Sequence, residues 1–276
     1  MTRYILALAI VAGTGQLARA QQVQQTQKAQ NTVKVMTYNI HHANPPSKEK
    51  EGTIDLPAVA AVIKAAHPDL VALQEIDANN ARAGLDTNEA KELGRLTGMN
   101  YFFSRAIWFQ GGAYGDAVLS RYPISDTMRY ELPIEPGTKA ETRVLCMIKV
   151  RLPGGKELLF GSTHLDQHGN EANRMLQART IEGIVRGLTL PCIIGGDFNA
   201  GPESRTLGLL DSVLTRSCRT DCPLTIPTEH PVKTIDYILY APAARFTSLG
   251  VRSIPETYAS DHLPVVAELQ IKKGLD

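Results

Sequence analysis

Apolar, β-branched stretches of this chain repeatedly end at a carboxylate, an amide or an imidazole. Polar groups beside buried strands are costly unless they meet a metal ion, a substrate or one another, so this many together predict a functional site. Each residue alone also has a structural interpretation, such as capping a turn or bracing a loop. The motifs are TYNI with Asn39, LQE with Glu75, THLD with His164, GDFN with Asp197 and Asn199, IDY with Asp236, and SDHLP with Asp261 and His262.

The stretches form two strand–helix–strand units that carry polar residues at matching strand ends, which indicates an internal repeat. No linker or shift in composition divides them, so we expect one mixed α/β domain over residues 33–276, with two packed sheets flanked by helices. The predicted strands are 33–40, 69–77, 114–123, 143–151, 157–165, 191–200, 234–240 and 262–271, and the predicted helices are 56–66, 88–96 and 171–188.

The first residues of the chain have the pattern of a secretory signal peptide. Arg3 supplies a positive charge, residues 5–13 form an apolar run too short to span a bilayer, and Ala-Arg-Ala precedes a cleavage point after Ala20. A buried N-terminal helix is the alternative interpretation. We therefore expect a signal peptide at residues 1–20, a flexible Gln-rich leader at 21–32, and a secreted or periplasmic protein without a transmembrane segment.

Charge excludes one class of partner recognition. The chain has 29 Lys and Arg residues against 28 Asp and Glu, and removal of Arg3 and Arg19 with the signal peptide would change the net charge from +1 to −1. A protein that binds nucleic acid through a strongly basic surface is recognisable by its charge, and this chain has no such excess. The balance weighs mildly against duplex DNA as the substrate.

The four cysteines have two predicted roles. Export implies an oxidising compartment, so Cys218 and Cys222, close together in a loop-like stretch, are the expected disulfide. Cys146 and Cys192 lie in apolar strand-like runs and are expected to be buried thiols. A zinc site is disfavoured because no histidine lies at ligand spacing from a cysteine pair.

A family resemblance follows from the order of the motifs. TYNI, LQE, YGDAVLSRYP, THLD, GGDFNA, IDYIL and SDHLPV, spread over residues 33–272, resemble the endonuclease/exonuclease/phosphatase superfamily, and within it the bacterial secreted metal-dependent hydrolases. The resemblance implies a four-layer α/β sandwich. Its two central, mostly antiparallel sheets would be flanked by helices and related by an internal pseudo-twofold axis.

The resemblance also implies a metal site. Glu75 matches the principal ligand of a Mg²⁺ ion, with Mn²⁺ as an alternative, and Asn39 and Asp261 match residues that complete or support the metal shell. Hard oxygen ligands of this kind suit such ions. Hydrolysis of an anionic phosphoester needs both a cation and an activated water, so the implied metal agrees with the implied chemistry.

Five further residues match the catalytic positions of the superfamily. By resemblance, Asp197 orients the attacking water, Asn199 holds the substrate or the transition state, and His262 contacts the phosphate. Asp236 would orient His262 and favour its protonated form. His164 would contact the phosphate or assist the leaving group. Whether Asp197 or His262 is the general base stays open at this stage.

Other residues are candidates for the substrate side of the site. Asp116 stands where this branch has Asn, and it pairs with His164, adds a metal ligand or braces a turn. Arg143 meets a phosphate or forms a surface ion pair. His41 is a candidate because one of two adjacent histidines is expected to face the site. Trp108 and Tyr114 either wall the pocket or, as we favour for the aromatic group around Trp108, pack in the core. Arg174 is expected to be a solvated helix residue.

We therefore expect a secreted, metal-dependent phosphoric ester hydrolase that acts alone as a monomer. A phosphodiesterase that hydrolyses a small phosphodiester, a phospholipid headgroup or a sugar phosphate is the favoured function. An exported nuclease is the first alternative, since nucleic acid is a possible substrate. A non-catalytic module that binds a phosphate ligand or a partner is the second.

Overall fold

The computed structural model of the protein describes residues 31–272. The predicted signal peptide at 1–20 and the leader up to residue 30 lie outside this range, as do residues 273–276. The first strand begins at Thr32, one residue before the predicted start of the folded domain. No helix in residues 31–272 is both long and apolar enough to cross a membrane.

The described residues form twelve strands, four α-helices and three short 3-10 helices. The strands are β1 (Thr32–Asn39), β2 (Leu70–Ala78), β3 (Asn100–Phe109), β4 (Gly112–Ser120), β5 (Ile124–Leu132), β6 (Arg143–Arg151), β7 (Glu157–His164), β8 (Cys192–Asp197), β9 (Thr215–Arg216), β10 (Asp236–Ala241), β11 (Phe246–Ser253) and β12 (Val265–Ile271). The helices are α1 (Leu56–Ala66), α2 (Glu89–Thr97), α3 (Ala172–Gly187) and α4 (Arg205–Leu210), and the 3-10 helices are His41–Ala43, Pro46–Glu51 and Ala243–Arg245.

Two six-stranded sheets have the same pattern of strand pairing. Their orders are β11-β12-β1-β2-β4-β3 and β5-β6-β7-β8-β10-β9. In each sheet the central pair is parallel, β1 with β2 and β7 with β8, and the other pairs are antiparallel. The parallel strands of each pair are connected through a helix, α1 in one sheet and α3 in the other. This repetition confirms the predicted sandwich and its two related halves.

Three apolar clusters separate four layers. Residues of both sheets, among them Val35 and Phe160, form the central cluster, while α1 and α2 pack on the outer face of the first sheet and α3 and α4 on that of the second. The sheets approach closely at Gly195, where an added Cβ would lie 2.8 Å from the Cβ of Ala72. The same Cβ would lie 3.0 Å from that of Thr37, so this glycine lets β8 pack closely against both β1 and β2.

The capping residues and the glycine expected from the sequence mark the ends of two predicted helices. The side chain of Asp55 accepts a hydrogen bond from the Ala58 amide at the start of α1, and the Asn88 side chain caps α2 in the same way. Gly98, with a φ of 70°, ends α2. The sequence did not predict β3, β5, β9, β11 or α4 as separate elements.

The cysteine predictions are confirmed. Cys218 and Cys222 form a disulfide, with their Cα atoms 5.4 Å apart. Cys146 and Cys192 are free and buried. Burial raises the pKa of both thiols, which keeps them protonated and unreactive.

A buried carboxyl group at the start of α2 makes the stability of the fold depend on pH. Glu89 is fully buried, and its Oε2 accepts a hydrogen bond of 2.8 Å from the Asp77 amide. Its Oε1 has no hydrogen-bond partner among the described residues. Burial, reinforced by the charge of Asp77, raises the pKa of Glu89 to about 8. The folded state therefore holds a proton that the unfolded chain releases near the ordinary carboxyl pKa.

We expect the substitution Glu89→Gln to stabilise the protein at alkaline pH relative to wild type. With a folded pKa above the unfolded one, the stability that the wild type has below the unfolded pKa is lost as pH rises through the folded pKa. The wild-type free energy of unfolding should therefore fall by about 2–4 kcal/mol relative to the variant between pH 5 and 9. Urea unfolding at several pH values measures this. The exposed Glu92→Gln on the same helix is the control, and parallel pH profiles of wild type and Glu89→Gln would contradict the prediction.

Candidate active site

Strand direction brings the polar residues of both halves to one edge of the sandwich. Asn39 ends β1, while His164 and Asp197 end the parallel strands β7 and β8. Strands that run antiparallel to these begin at the same edge, so Asp236, the first residue of β10, pairs directly with Asp197. The side-chain amide of Asn39 bonds to Asp197 across the two sheets. All the motif residues at strand ends therefore contribute to one region.

A local irregularity in β2 turns Glu75 into this region. The pairing of β2 with β4 shifts register between Leu73 and Ile76, and Glu75 has a φ of 61°. Non-glycine residues rarely adopt this left-handed conformation, and bulges and strained residues are over-represented next to functional sites, where they re-aim side chains. The Glu75 side chain is 20% exposed, so its carboxylate remains reachable from solvent.

The Glu75 carboxylate is surrounded by groups that favour its ionised form. Asn39 Nδ2 donates to Oε1 over 3.0 Å, and Nδ1 of His42 lies 3.7 Å from Oε2. Burial alone would raise the pKa of Glu75, but His42, His164 and Asn39 together outweigh it and hold the pKa well below its usual range. Glu75 is therefore a carboxylate at neutral pH, as a metal ligand must be.

Asp197 lies at the centre of the site. Its Oδ2 accepts a hydrogen bond of 3.1 Å from Asn39 Nδ2 and lies 3.5 Å from His164 Nε2 and 3.7 Å from His262 Nε2. Its Oδ1 accepts from the backbone amide of Asn199 over 2.9 Å. Burial and the adjacent charge of Asp236 raise the pKa of Asp197, and His262 only partly opposes them. The carboxylate is thus more basic than an ordinary aspartate.

His262 and Asp236 form a buried pair. Nδ1 of His262 lies 3.0 Å and 3.2 Å from the two carboxylate oxygens of Asp236, which leaves Nε2 facing Asp197. Burial alone would lower the pKa of His262, but the charges of Asp236 and Asp197 outweigh it and raise the pKa well above its usual value. His262 is therefore an imidazolium at neutral pH, as the sequence analysis expected from this pair.

His164 has the opposite electrostatic environment. Its Nδ1 is 3.4 Å from Nη1 of Arg143, and its Nε2 is 3.0 Å from Nδ2 of Asn199, whose amide also donates to the Leu165 carbonyl. Burial and the charge of Arg143 lower the pKa of His164 well below its usual value. The site therefore holds one cationic and one neutral histidine, which suits them to different roles.

The donor set fits a divalent cation. Glu75 and Asp197 both accept hydrogen bonds from the same nitrogen of Asn39, so two carboxylates from the two sheets converge on one point. Asp197, Asp236 and His262 also offer ligand atoms within 4.8 Å of one another. Carboxylates this close favour a bound cation, and oxygen donors of this type suit a hard divalent ion.

Two residues predicted at the metal site have other contacts in the structure. The Oδ1 of Asn39 accepts from the His41 amide, so the amide nitrogen, not the oxygen, faces the carboxylates. Asn39 thus positions Glu75 and Asp197. The carboxylate of Asp261 lies 3.4 Å from the hydroxyl of Ser260, which donates to the Asn39 carbonyl. The predicted role of Asp261 in the metal shell stays a prediction.

Beside Glu75 and His164 lies a cavity of about 140 Å³. Tyr114 and Arg143, both predicted on the substrate side, line it. Arg143 itself is only 4% exposed, and its Nη2 lies 3.6 Å from the carboxylate of the half-exposed Glu141, so the structure shows both the cavity position and an ion pair. Arg82 also lines the cavity; no sequence motif marked it, because its place depends on the loop after β2.

The structure corrects the interpretation of Trp108. Its side chain is 73% exposed, so the favoured prediction of core packing is wrong. It does not line the cavity either, where its neighbours Ile107 and Phe109 lie. Instead the guanidinium of Arg105 stacks over the Trp108 ring, 3.6 Å from its centroid. Alternation along β3 explains this, because successive side chains point to opposite faces.

Asp116 is buried, and its surroundings favour a neutral form. Burial raises its pKa well above the usual range, and Arg143 only partly offsets this. The backbone amide of His164 hydrogen-bonds to it, rather than the His164 ring. Its predicted pairing with the His164 side chain is therefore not found, and its role toward substrate stays a prediction.

One of the two histidines after Asn39 faces the site, as expected, but it is His42 and not the predicted His41. His42 faces Glu75, whereas Nδ1 of His41 lies 3.0 Å from the Asn44 carbonyl. Both have positive φ values, 49° and 42°, in the 3-10 helix at the end of β1. The sequence could not show which ring faces the site, because this turn reverses the alternation of a strand.

The prediction that Arg174 is a solvated helix residue is also wrong. Arg174 is 6% exposed rather than solvated, and its Nη1 donates to the carbonyls of Asp166 and His168 over 2.9 Å and 2.6 Å. It thereby holds the loop that follows His164. The same loop is braced by Asp166, whose carboxylate lies 2.7 Å from Nδ1 of His168.

Comparison with known proteins agrees with this geometry. The family model described as the endonuclease/exonuclease/phosphatase family matches residues 36–262. The chain belongs to this family. Its members are phosphoric ester hydrolases, and the protein is such an enzyme. The Escherichia coli protein YbhP is 26% identical over 260 residues, which cover 89% of this chain and 99% of YbhP.

Solved structures share the fold at lower identity. The mannosyl-6-phosphatase of Bacteroides thetaiotaomicron is 21% identical with a TM-score of 0.69, and the match covers 86% of this chain and 99% of that one. The human nocturnin catalytic domain, which was solved with a sulfate anion, is also 21% identical, with a TM-score of 0.67 and coverage of 88% and 94%. At this level of identity the likeness establishes the fold only.

Proposed function

We infer that the protein is a secreted, Mg²⁺-dependent phosphodiesterase that hydrolyses a small phosphodiester, a phospholipid headgroup or a sugar phosphate by attack of water. One observation carries the proposal: the buried Asp197 lies between the His262–Asp236 pair on one side and Glu75, through Asn39, on the other. A base, a cation-binding carboxylate and an imidazolium together can activate water and stabilise the charge that develops during phosphoester hydrolysis.

The residues divide the chemistry among them. A Mg²⁺ ion held by Glu75, with Asp261 as the predicted second ligand, would withdraw charge from the phosphate. Asp197 accepts a proton from the attacking water, since its raised pKa makes it the more basic carboxylate and His262 already carries a proton. The His262 imidazolium stabilises the negative charge that develops on the phosphoryl oxygens. Asn199 positions His164, because its side-chain amide contacts His164 Nε2 and donates to the Leu165 carbonyl, and the neutral His164 would lie beside the leaving group.

The small cavity and the near-zero net charge of the chain support a small substrate over duplex DNA. A nuclease remains the second candidate because the exposed Trp108, with Arg105 stacked on it, has the surface chemistry that stacks on bases.

The proposal is tested with purified protein and four substrates: bis-p-nitrophenyl phosphate, p-nitrophenyl phosphate, plasmid DNA and phosphatidylcholine vesicles. We expect hydrolysis of the chromogenic diester with Mg²⁺, its loss with EDTA, and recovery when excess Mg²⁺ or Mn²⁺ is added. The double variant Glu75→Gln/His262→Ala serves as the inactive control. Nicking of plasmid without turnover of the small diesters would replace this function with a nuclease, and turnover that resists EDTA would exclude the metal mechanism.

Export is part of the proposal and needs its own test. The sequence of residues 1–20 supports it, and the disulfide between Cys218 and Cys222 agrees with an oxidising compartment. Expression of the full chain in a bacterial host, followed by cell fractionation and N-terminal sequencing, should yield an exported protein that begins at Gln21. A cytoplasmic protein that retains Met1 would contradict it.

A further inference from the structure

The cavity beside Glu75 has a wall that the proposed hydrolysis does not explain. The wall includes Arg82, Arg143, Phe109 and Tyr114, and the half-exposed Glu141, which pairs with Arg143, also lines the cavity. In the proposed mechanism the scissile phosphate already has the His262 imidazolium and a cation held by Glu75 as partners. Two arginines on the adjacent wall are therefore placed for another part of the substrate.

Arg82 is held rigidly by its neighbours. Its Nε and Nη2 donate to the buried carboxylate of Asp77 over 2.6 Å and 3.0 Å, in a bidentate pair. The guanidinium also stacks over Phe109 and Tyr114, 4.6 Å and 5.5 Å from the ring centroids. Among the described residues Nη1 has no hydrogen-bond partner, and the side chain is 26% exposed. The group is thus preorganised, with one donor edge available to a ligand.

Arg143 is buried with few partners. Its Nη1 lies 3.4 Å from His164 Nδ1, and its Nη2 lies 3.6 Å from Glu141, whose side chain is 46% exposed. Its Nε has no partner among the described residues. A buried guanidinium with so few acceptors is costly, and a distant, solvated carboxylate compensates it poorly. An anionic ligand would supply the missing acceptors.

We propose that this cavity is a subsite for a second anionic group of the substrate, a phosphoryl or carboxylate group next to the scissile phosphate, bound by Arg82 and Arg143. The inference rests on the proposed function for the position of the scissile phosphate. The cavity of about 140 Å³ admits such a group but falls below the roughly 300–1,000 Å³ of pockets that enclose a whole drug-sized ligand. Tyr114 adds a neutral hydroxyl donor, since burial raises its pKa well above the usual value.

Binding of non-hydrolysable ligands tests the subsite without catalysis. We would measure by calorimetry, with Mg²⁺ and separately with EDTA, the affinities of ethylphosphonate, 2-carboxyethylphosphonate and ethane-1,2-bisphosphonate. We expect at least one of the two charged ligands to bind about tenfold or more tightly than ethylphosphonate in both buffers, as charge-assisted hydrogen bonds imply. Which of the two is preferred identifies the group as carboxylate or phosphoryl. Equal affinities for all three would overturn the proposal.

Variants locate the preference. Arg82→Gln should reduce the ratio of affinities toward one, and Asp77→Asn/Arg82→Gln should do the same without leaving a buried carboxylate unpaired. Arg105 lies on β3 but does not line the cavity, so Arg105→Gln should keep the wild-type ratio of affinities. A ratio that survives in both Arg82 variants would refute the assignment.

Turnover separates this inference from the proposed function. Ethyl p-nitrophenyl phosphate and its 2-carboxyethyl and 2-phosphonoethyl analogues share one leaving group and differ in the second charge. Hydrolysis of all three esters at the same rate would support the phosphodiesterase function and contradict the proposed subsite. If the protein binds a doubly charged ligand more tightly than ethylphosphonate but hydrolyses none of the esters, the subsite is supported and the proposed activity is contradicted.

Discussion

Replacing His262 by Ala should reduce kcat by about 10²–10⁴-fold while the protein stays folded. The imidazolium lies 3.7 Å from Asp197 and is held by Asp236, so its loss removes the cationic donor for the phosphoryl oxygens. Steady-state kinetics with bis-p-nitrophenyl phosphate at saturating Mg²⁺ measures the effect. The exposed His230→Ala is the matched control and should retain wild-type turnover. A His262→Ala variant with more than a tenth of the wild-type kcat would exclude this role.

The pH dependence of Asp236→Asn distinguishes an electrostatic role from a purely structural one. The charge of Asp236 is the largest contribution that raises the pKa of His262. Since the cationic form of His262 is required, activity is present below the folded pKa of His262 and lost above it. Removal of the carboxylate charge lowers that pKa, so the alkaline limb of the pH–rate profile should move to lower pH. An unchanged alkaline limb with reduced kcat would indicate that Asp236 only positions the ring.

Replacing Glu75 by Gln should abolish metal-dependent turnover, with a loss of about 10²-fold or more at ordinary Mg²⁺ concentrations. The amide keeps the shape of the side chain but cannot supply the anionic oxygen that a hard cation prefers. Binding of Mn²⁺, followed by electron paramagnetic resonance, should weaken in parallel. That measurement does not depend on catalysis.

Stability provides the control for Glu75→Gln. Glu75 has a lowered pKa because Asn39, His42 and His164 favour its ionised form, so the variant loses some stability. Unfolding in urea separates that loss from the loss of metal binding. Glu268→Gln, an exposed carboxylate on β12 paired with Lys34, should affect neither Mn²⁺ binding nor turnover. Tight Mn²⁺ binding by the Glu75→Gln variant would contradict this role and indicate that the metal is held by Asp197, Asp236 and His262 instead.

The sequence predicted the strands that are apolar along their whole length and two helices that have a capping residue. The signals are local: Asp55 and Asn88 cap α1 and α2, and buried runs such as that of β8 are apolar throughout. The strands β5 and β11 were missed because their exposed positions dilute the apolar pattern. An edge strand takes its conformation from pairing with its neighbour, which is a long-range contact.

The sequence by itself indicated the residues at the strand ends that meet in the candidate site, because carboxylates, amides and imidazoles beside buried strands are costly unless they meet a ligand or one another. It also determined the two-unit design, since each strand–helix–strand unit carries its own apolar pattern. It did not single out His42 or Arg82. Only the tertiary structure decided how these groups are used. The bulge at Glu75, the inward turn of His42, the burial of Arg143 and Arg174 and the stacking of Arg82 all depend on contacts between distant segments. Side-chain direction, burial and charge state are set by those contacts, which is why no local pattern predicts them.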